Sequence, residues 1–478
     1  MAHEVGGRRR ADQNFNMKTN STLISRRKMI AAGGTALACW AGFGRGHAAE
    51  NPPLVTASTF TPAEDLALIT EYARKIKPQM CKPANGILRF PYLTAGVKSY
   101  PYLIDWDAVW GGMAYLAAGD PEPLRGSLLN LLDHTAPTGK GQRVIKPDSY
   151  GAPTFHSRPF LATGSFVLSR ETDSVEWMRD GWFERLHANL MYWHAHRTGR
   201  HGLLKWWHMD EGFADNGVGN WAWDVNCVEA VDLNAQMILE HSCAAWLAGR
   251  LGLADRARDH RRLAASLHLR MEEVLWDEKT GFYFSSFNPR ERAVLPTPIR
   301  AMSYTNLWPL WLGLAPAARG KRALEYVVSP EHFWSEHGIR SLAKSDSRYN
   351  NARQGMTFPM TYPEPSAGQV ISSNWQGPIW SLANYQAALA LRRYGREAEA
   401  RRVAERIIRV HAASLRSLGA FAENYSAETG EPLAATGGIG SWCLMLQYLP
   451  AHLQSGTPWL LKGLDLPSSD KKSGTGRT

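Results

Sequence analysis

Cysteine is scarce in this 478-residue chain: there are five, none in a CxxC pair and none beside histidines at zinc-ligand spacing. A structural zinc or an iron–sulfur cluster therefore has no support, and no cofactor is expected. Ca2+ is not excluded, although no EF-hand-like ligand spacing appears. Long apolar runs are lacking too. Past the N-terminal segment none approaches the ~20 apolar residues that span a bilayer, so no membrane span is expected in the mature chain. Basic charge is thin where a nucleic-acid surface would need it. The formal net charge is +10, but residues 1–49 hold eight Lys and Arg against two Asp and Glu, which leaves about +4 for the rest. That excludes an electrostatic footprint for nucleic acid. Self-similarity at about 34 or 40 residues, the mark of a helical solenoid, is missing as well.

Tryptophan is in excess: there are 19, in a chain of 44% hydrophobic and 21% charged residues that reads as globular and can bury a large core. The basic N-terminus reads as an address. Ser25-Arg26-Arg27-Lys28-Met29-Ile30 resembles a twin-arginine export signal, followed by an apolar run from Met29 to Phe43 and small residues ending near Ala48-Ala49. The partner this implies is the twin-arginine export machinery, and the destination the periplasm or the exterior. Met17 is a more usual start for such a signal, which makes residues 1–16 an upstream extension. Cys39 lacks the Leu that normally opens a lipid-attachment box. Of the four cysteines left after cleavage (Cys81, Cys227, Cys243 and Cys443), a disulfide is chemically possible in an oxidising compartment, and buried thiols are the plainer reading.

From residue 50 the periodicity is helical. Thr61 caps and Pro62 starts a helix carrying Leu66, Ile69, Tyr72, Ala73 and Ile76 on one face. Further helices are predicted near 106–118, 122–133, 172–196, 228–251, 254–275, 302–315, 317–328, 377–394, 396–415 and 440–448. Aromatic-rich connections are predicted at 134–165, 198–224, 277–300, 331–376 and 417–439, and loops of such length are usually functional. Antiparallel helix pairs with elaborate loops between them suit an all-α toroid of two concentric rings. The expected division is a leader at 1–49, a catalytic domain at 50–455, and a tail at 456–478, partly disordered, whose end from Pro467 is Ser/Lys/Gly-rich.

Three segments carry chemistry. Trp206-Trp207-His208-Met209-Asp210-Glu211-Gly212-Phe213-Ala214-Asp215-Asn216 sets carboxylates among indole rings, with Trp221, Trp223 and Asp224 close behind. Aromatic rings stack on the apolar faces of sugars, and an acid in apolar surroundings has its pKa raised, so this is either a glycoside site or a solvated aromatic loop. Phe421-Ala422-Glu423-Asn424-Tyr425 offers a second carboxylate. Asp105-Trp106-Asp107 opens a helix, with Asp105 an N-cap and Asp107 either a helix-dipole partner or an acceptor of two sugar hydroxyls. In Ser373-Asn374-Trp375-Gln376-Gly377-Pro378-Ile379-Trp380, Gly377 permits close backbone approach, and Trp375 and Trp380 bracket the Gln376 amide as a sugar subsite or simply pack helix against helix.

Val231-Asp232-Leu233-Asn234-Ala235, following the Asp215 loop, resembles the VDLNA stretch of trehalases, and Trp106-Asp107 resembles their WDS-type segment. Asn374–Trp380 is similar to the YWRGPVW-type motif of processing α-glucosidases and mannosylglycerate hydrolase-like enzymes. His337–Asp346 resembles the segment before it, and Glu423, Thr429-Gly430-Glu431 and Gly438–Trp442 follow the family's closing order. The likeness covers about residues 60–455. It implies an (α/α)6 barrel, or six-hairpin toroid, that hydrolyses α-glycosidic bonds, α-glucosidic and trehalase-like ones foremost, with inversion on a small oligosaccharide or glycoside. It implies Asp215 as general acid and Glu423 as general base, with Trp106, Asp107, Trp375, Gln376 and Trp380 lining the sugar subsite; Trp206, Trp207, Glu211, Gly377 and Trp442 are further substrate-binding candidates.

There are departures. The acid loop lacks the usual ESGxD spacing, which leaves Asp210 and Glu211 as alternative acids. The QWDYPNGWAPLQ signature is absent, and Gln376 replaces the usual Arg. His156-Ser157-Arg158-Pro159 stands where relatives carry Gln-Pro, so that Arg158 is expected to select an acidic substituent, or else to lie in a surface turn. In the implied mechanism, rings around Asp215 keep it protonated while Asn424 and Tyr425 keep Glu423 charged. Helical toroids also house lyases and sugar epimerases, for which His156, His208 and Tyr425 are the candidates. A glycan-binding protein that had lost an acid or base is the third class.

Overall fold

The computed structural model of the chain describes residues 62–206, 211–215, 217–220, 228–287, 297–354, 373–434, 437–455 and 457–468. The leader at 1–49, the Thr61 cap, Trp207, His208, Asp210, Asn216, Trp221, Trp223, Asp224, Cys227 and the end of the tail lie outside them.

The helices, in order, are α1 (Pro62–Met80), α2 (Asp105–Ala117), α3 (Glu122–Asp133), α4 (Leu161–Glu171), α5 (Trp182–His196), α6 (Val231–Arg250), α7 (Ala254–Val274), α8 (Trp308–Leu312), α9 (Ala317–Val327), α10 (Ser381–Arg393), α11 (Glu397–Leu418) and α12 (Leu449–Gln454), the last preceded by the 3-10 helix Ser441–Tyr448. The even-numbered segments α2 to α10 and the 3-10 helix form a closed ring. Each packs on the next, and the 3-10 helix returns to α2. Outside it, α1 packs on α11 and the 3-10 helix, α3 on α2 and α4, α5 on α6, α7 on α6, and α11 on α10. The result is an (α/α)6 barrel.

Composition separates the two rings. In α6 almost every residue from Val231 to Ala248 is buried, whereas α7 and α11 turn Arg- and Glu-rich faces outward. Helices apolar all round must be covered on every side, and amphipathic ones do the covering. This also explains a departure from expectation. α4 begins inside the predicted 134–165 connection, and the helix predicted from 172 starts only at Trp182, after a 3-10 turn at Glu176–Met178. Leu161 to Ser169 are all buried, so α4 carries no apolar stripe to read. A Cβ at Gly164 would lie 2.8 Å from Val109 Cγ1, which is how closely α4 approaches α2.

Strands are short and confined to the connections. Lys205–Trp206, Val228–Glu229, Ser286–Phe287 and Thr297–Pro298 form a four-stranded antiparallel sheet, and Asn424–Tyr425 pairs with Pro432–Ala434. The stretch after 456 is not all tail: Leu460 and Leu461 are buried, and Trp459 stacks on His452 at 5.9 Å. Cys81, Cys243 and Cys443 are free thiols, the last two buried. Among the described residues no helix is long and apolar enough to cross a membrane, and no cluster of His, Cys, Asp and Glu could hold a metal ion.

Candidate active site

The loop that carries Asp215 is tethered at three points. Glu211 is fully buried and clasped by Arg197, whose Nη1 and Nη2 donate to its two oxygens at 2.9 and 3.1 Å, while the His156 N–H adds a third bond at 2.9 Å. Arg158 Nε donates to the Glu211 and Gly212 carbonyls at 3.1 and 3.2 Å. Phe213 fills an aromatic cavity, stacked on Trp308 at 4.4 Å with Trp106 and Trp206 at 5.1 and 5.2 Å, and its carbonyl accepts the Tyr304 hydroxyl at 3.0 Å.

These contacts reassign three expected substrate residues. Glu211 is a buried ion-pair partner and not a sugar ligand or an acid. Trp206, also buried, spends its indole N–H on Asp232 at 3.0 Å and its ring on Trp193 and Phe213. Arg158 does not lie in a surface turn. Its side chain is 3% exposed, ion-paired with Asp105 at 3.6 Å and laid over the Trp106 ring at 4.9 Å. Its neighbour His156 adds no charge, because burial lowers its pKa to about 3. Trp207 lies outside the described residues.

Asp215 itself keeps about a third of its side chain exposed, with Arg143 Nη2 at 3.7 Å from its Oδ2. Its Oδ1 accepts the Ser373 hydroxyl at 2.9 Å and the Trp375 indole N–H at 3.1 Å. Trp375 therefore serves the carboxylate through its edge. Its ring is stacked on Trp380 at 3.6 Å and on Tyr304 at 4.7 Å, so the two tryptophans pack on each other and do not bracket Gln376. Gln376 is buried, its carbonyl accepting the Asn350 N–H at 2.7 Å. The close approach at Gly377 is made by the protein's own chain: a Cβ there would meet Tyr349 Cε2 at 2.9 Å and Asn350 O at 3.0 Å.

Burial raises the Glu423 carboxyl. It sits on the loop before the Asn424–Tyr425 strand, which bridges to Ile379 just ahead of α10. Desolvation, with the charges of Asp215 and Asp107 added, pushes its pKa up to about 8, against a weak opposing contact from the Tyr100 hydroxyl at 3.5 Å. The expectation that Asn424 and Tyr425 would keep it charged fails. The Tyr425 hydroxyl is taken by the Ala422 N–H at 3.1 Å, and the Asn424 amide has no hydrogen-bond partner among the described residues.

Asp107 is equally buried, raised to about 7 mainly by desolvation, and accepts the Ser441 hydroxyl at 2.9 Å. Asp105 does not cap α2. It holds the Arg158 N–H at 2.6 Å and so fixes the following chain against the helix start. Trp106 and Trp442 lie 4.9 Å apart, and the Trp442 indole N–H is without a partner among the described residues.

Glu423 thus feels the charges of both Asp107 and Asp215, and Trp375 reaches Asp215 through its N–H. Sequence reasoning missed Arg143, Tyr100, Ser373 and Ser441. No local sequence signal marks them; in the structure Tyr100 and Ser441, at φ 56° and 40°, are two of four non-glycine residues with positive φ among the described residues, a backbone strain that often marks functional sites.

Over residues 100–441 the sequence matches the family described as the mannosylglycerate hydrolase MGH1-like glycoside hydrolase domain. The GH63 mannosylglycerate hydrolase from Thermus thermophilus, solved in complex with Tris, is similar with a TM-score of 0.61 and 18% identity, covering 80% of this chain and 100% of that one. Neutral trehalase Nth1 from Saccharomyces cerevisiae is similar with a TM-score of 0.56 and 16% identity, covering 83% and 84%. A probable mannosyl-oligosaccharide glucosidase of Schizosaccharomyces pombe is 26% identical over 157 residues, 32% of this chain, and the matched stretch spans 17% of that relative's length.

Proposed function

The chain belongs to the mannosylglycerate hydrolase MGH1-like glycoside hydrolase family and is a glycoside hydrolase; from that premise we propose that it cleaves α-glycosidic bonds, α-glucosidic ones of trehalase type foremost, with inversion. Asp215 is the general acid and Glu423 the general base. One observation carries this reading: two loops more than 200 residues apart bring these carboxyls close enough that the charge of one raises the pKa of the other. In an inverting hydrolase the acid protonates the leaving oxygen while the base activates a water on the opposite face of the sugar, across a separation of ~6.5–9.5 Å.

Hydrolysis requires the proton on Asp215 and the charge on Glu423, so Glu423, which burial raises to about 8, must give up its proton before it acts as the base. Asp107 and the Trp442 N–H, the latter without a partner among the described residues, take sugar hydroxyls in this reading. Residues 1–49, with Arg26-Arg27 ahead of an apolar run, act as a twin-arginine leader that sends the catalytic domain from residue 50 to the periplasm or beyond.

The deciding experiment is proton NMR of the chain lacking residues 1–49 on trehalose, kojibiose, nigerose, maltose, glucosylglycerate and mannosylglycerate. The expected result is release of the β-anomer first from at least one of them. Release of the α-anomer first would refute inversion.

A further inference from the structure

A cleft of about 570 Å3 opens between the end of α3, the connection that follows it and the first turns of α5. That is the size of a small-molecule site. Tyr150 lines it with 40% of its surface exposed, one of four large apolar side chains left exposed among the described residues. The residue is fixed at both ends. Its backbone bridges to Ile145, whose strand pairs with Leu103–Ile104 just ahead of α2. Its hydroxyl donates to His134 Nδ1 at 2.9 Å, because Nε2 of that ring faces the Ile87 carbonyl at 2.9 Å and so carries the proton.

Gln142 lines the same cleft, and its buried Oε1 has no hydrogen-bond partner among the described residues. A buried acceptor without a donor is costly, so the cleft suits a ligand that brings hydroxyl or N–H groups. The charges of the lining are already engaged. Arg185 Nη1 donates to the Leu132 and Asp133 carbonyls at 3.3 and 2.8 Å, the Asp133 carboxylate accepts Arg89 Nε at 2.6 Å, and Glu184 accepts Arg256 Nη2 at 3.3 Å. Two carboxylates and one bound guanidinium offer nothing to hold an anion, and each carboxylate has its own cation.

We infer that this cleft is a second carbohydrate site, which holds a neutral hexose unit of a glycan apart from the sugar held at Asp215 and Glu423. A pyranose turns an apolar C–H face to the fixed Tyr150 ring and a hydroxyl edge to Gln142 Oε1, whereas a purely apolar ligand would leave that oxygen unpaired. Gln142 directly precedes Arg143, whose Nη2 lies 3.7 Å from Asp215 Oδ2. A glycan held in the cleft is thereby anchored on the stretch of chain that flanks the acid loop. This site goes beyond the acid–base reading and does not rest on it.

The test is fluorine NMR of the full chain with meta-fluorotyrosine in place of tyrosine, the Tyr150 signal being identified by its loss in Tyr150→Phe. The chain carries Glu423→Gln so that the probes, maltotriose, cellotriose and mannotriose, persist. The Tyr150 signal is expected to move saturably with at least one of them. Gln142→Leu, melting as its parent, is expected to weaken that probe about tenfold. The inference is overturned if no neutral probe moves the Tyr150 signal, or if Gln142→Leu binds as its parent does. It is also overturned if trigalacturonate, an acidic trisaccharide, saturates the signal at a lower concentration than every neutral probe. None of these outcomes bears on Asp215 and Glu423 as acid and base, which the anomer experiment tests separately.

Discussion

Arg197 and Glu211 form a two-pronged ion pair at 2.9 and 3.1 Å with both side chains excluded from solvent. Glu211 lies four residues before Asp215, so the pair anchors its loop. Removing one partner strands the other charge, at a cost of about 3–5 kcal/mol. Arg197→Met should therefore lower the urea unfolding free energy by that order and cut turnover as well, because the loop loses its anchor. An unfolding curve unchanged by the substitution would show that the pair does not hold the loop.

Asp215→Asn and Glu423→Gln should each reduce turnover at least ~10²-fold while circular dichroism stays that of the wild type. Full activity in Glu423→Gln would remove it as the base.

The pH dependence follows from burial of Glu423. Its folded pKa, about 8, is above its ordinary value, so the folded chain holds a proton there that the unfolded chain releases. Its contribution to stability is present below about pH 4.5 and is lost as pH rises through 8, at about 1.4 kcal/mol per pH unit in between. Glu423→Gln lacks this loss, so its melting temperature relative to wild type should climb from pH 5 to pH 8. As a base Glu423 must be ionised, and kcat/KM should rise with pH toward 8. Tyr100→Phe removes a hydroxyl that lowers this pKa and should shift the acid limb to higher pH.

Four histidines form a hydrogen-bonded chain along the α5–α6–α7 seam: His187 to His260 at 3.1 Å, His260 to His241 at 2.9 Å and His241 to His194 at 2.8 Å. Desolvation lowers all four, His260 to about 3 and His194 to about 4. A histidine lowered in this way contributes stability that is complete above pH 6.5, and for His194 and His260 it is lost as pH falls toward 4 and 3. Urea titrations between pH 7 and 4.5 should show a shallower loss for His241→Gln than for wild type. Parallel slopes would mean that His241 does not titrate in this window.

Gly377→Ala places a methyl 2.9 Å from the Tyr349 ring and 3.0 Å from Asn350 O, so the 349–350 loop must give way. A melting measurement should show a loss of about 1–3 kcal/mol.

Much of this molecule was legible beforehand. The amphipathic outer helices α1, α7 and α11 announced themselves through one apolar face. The inner helix α4 did not, because a segment buried on all sides has no contrast to display. At the site the residue types were visible and their roles were not. Trp206, Trp375 and Trp380 looked like sugar platforms, yet their rings pack on other rings. Glu211 and Arg158 looked like ligands, yet both are bound up in the protein.

The order of motifs along the chain, the helical periodicity and the presence of two separated carboxyls determined fold class and reaction class, because those depend on local pattern and on residue chemistry. Tertiary structure decided which carboxyls are desolvated, which tryptophan gives its N–H to Asp215, and that Arg143 stands beside that carboxylate. Burial and through-space charge join residues such as Asp107, Asp215 and Glu423 that no local window contains together, and only the closed ring of helices brings them to one place.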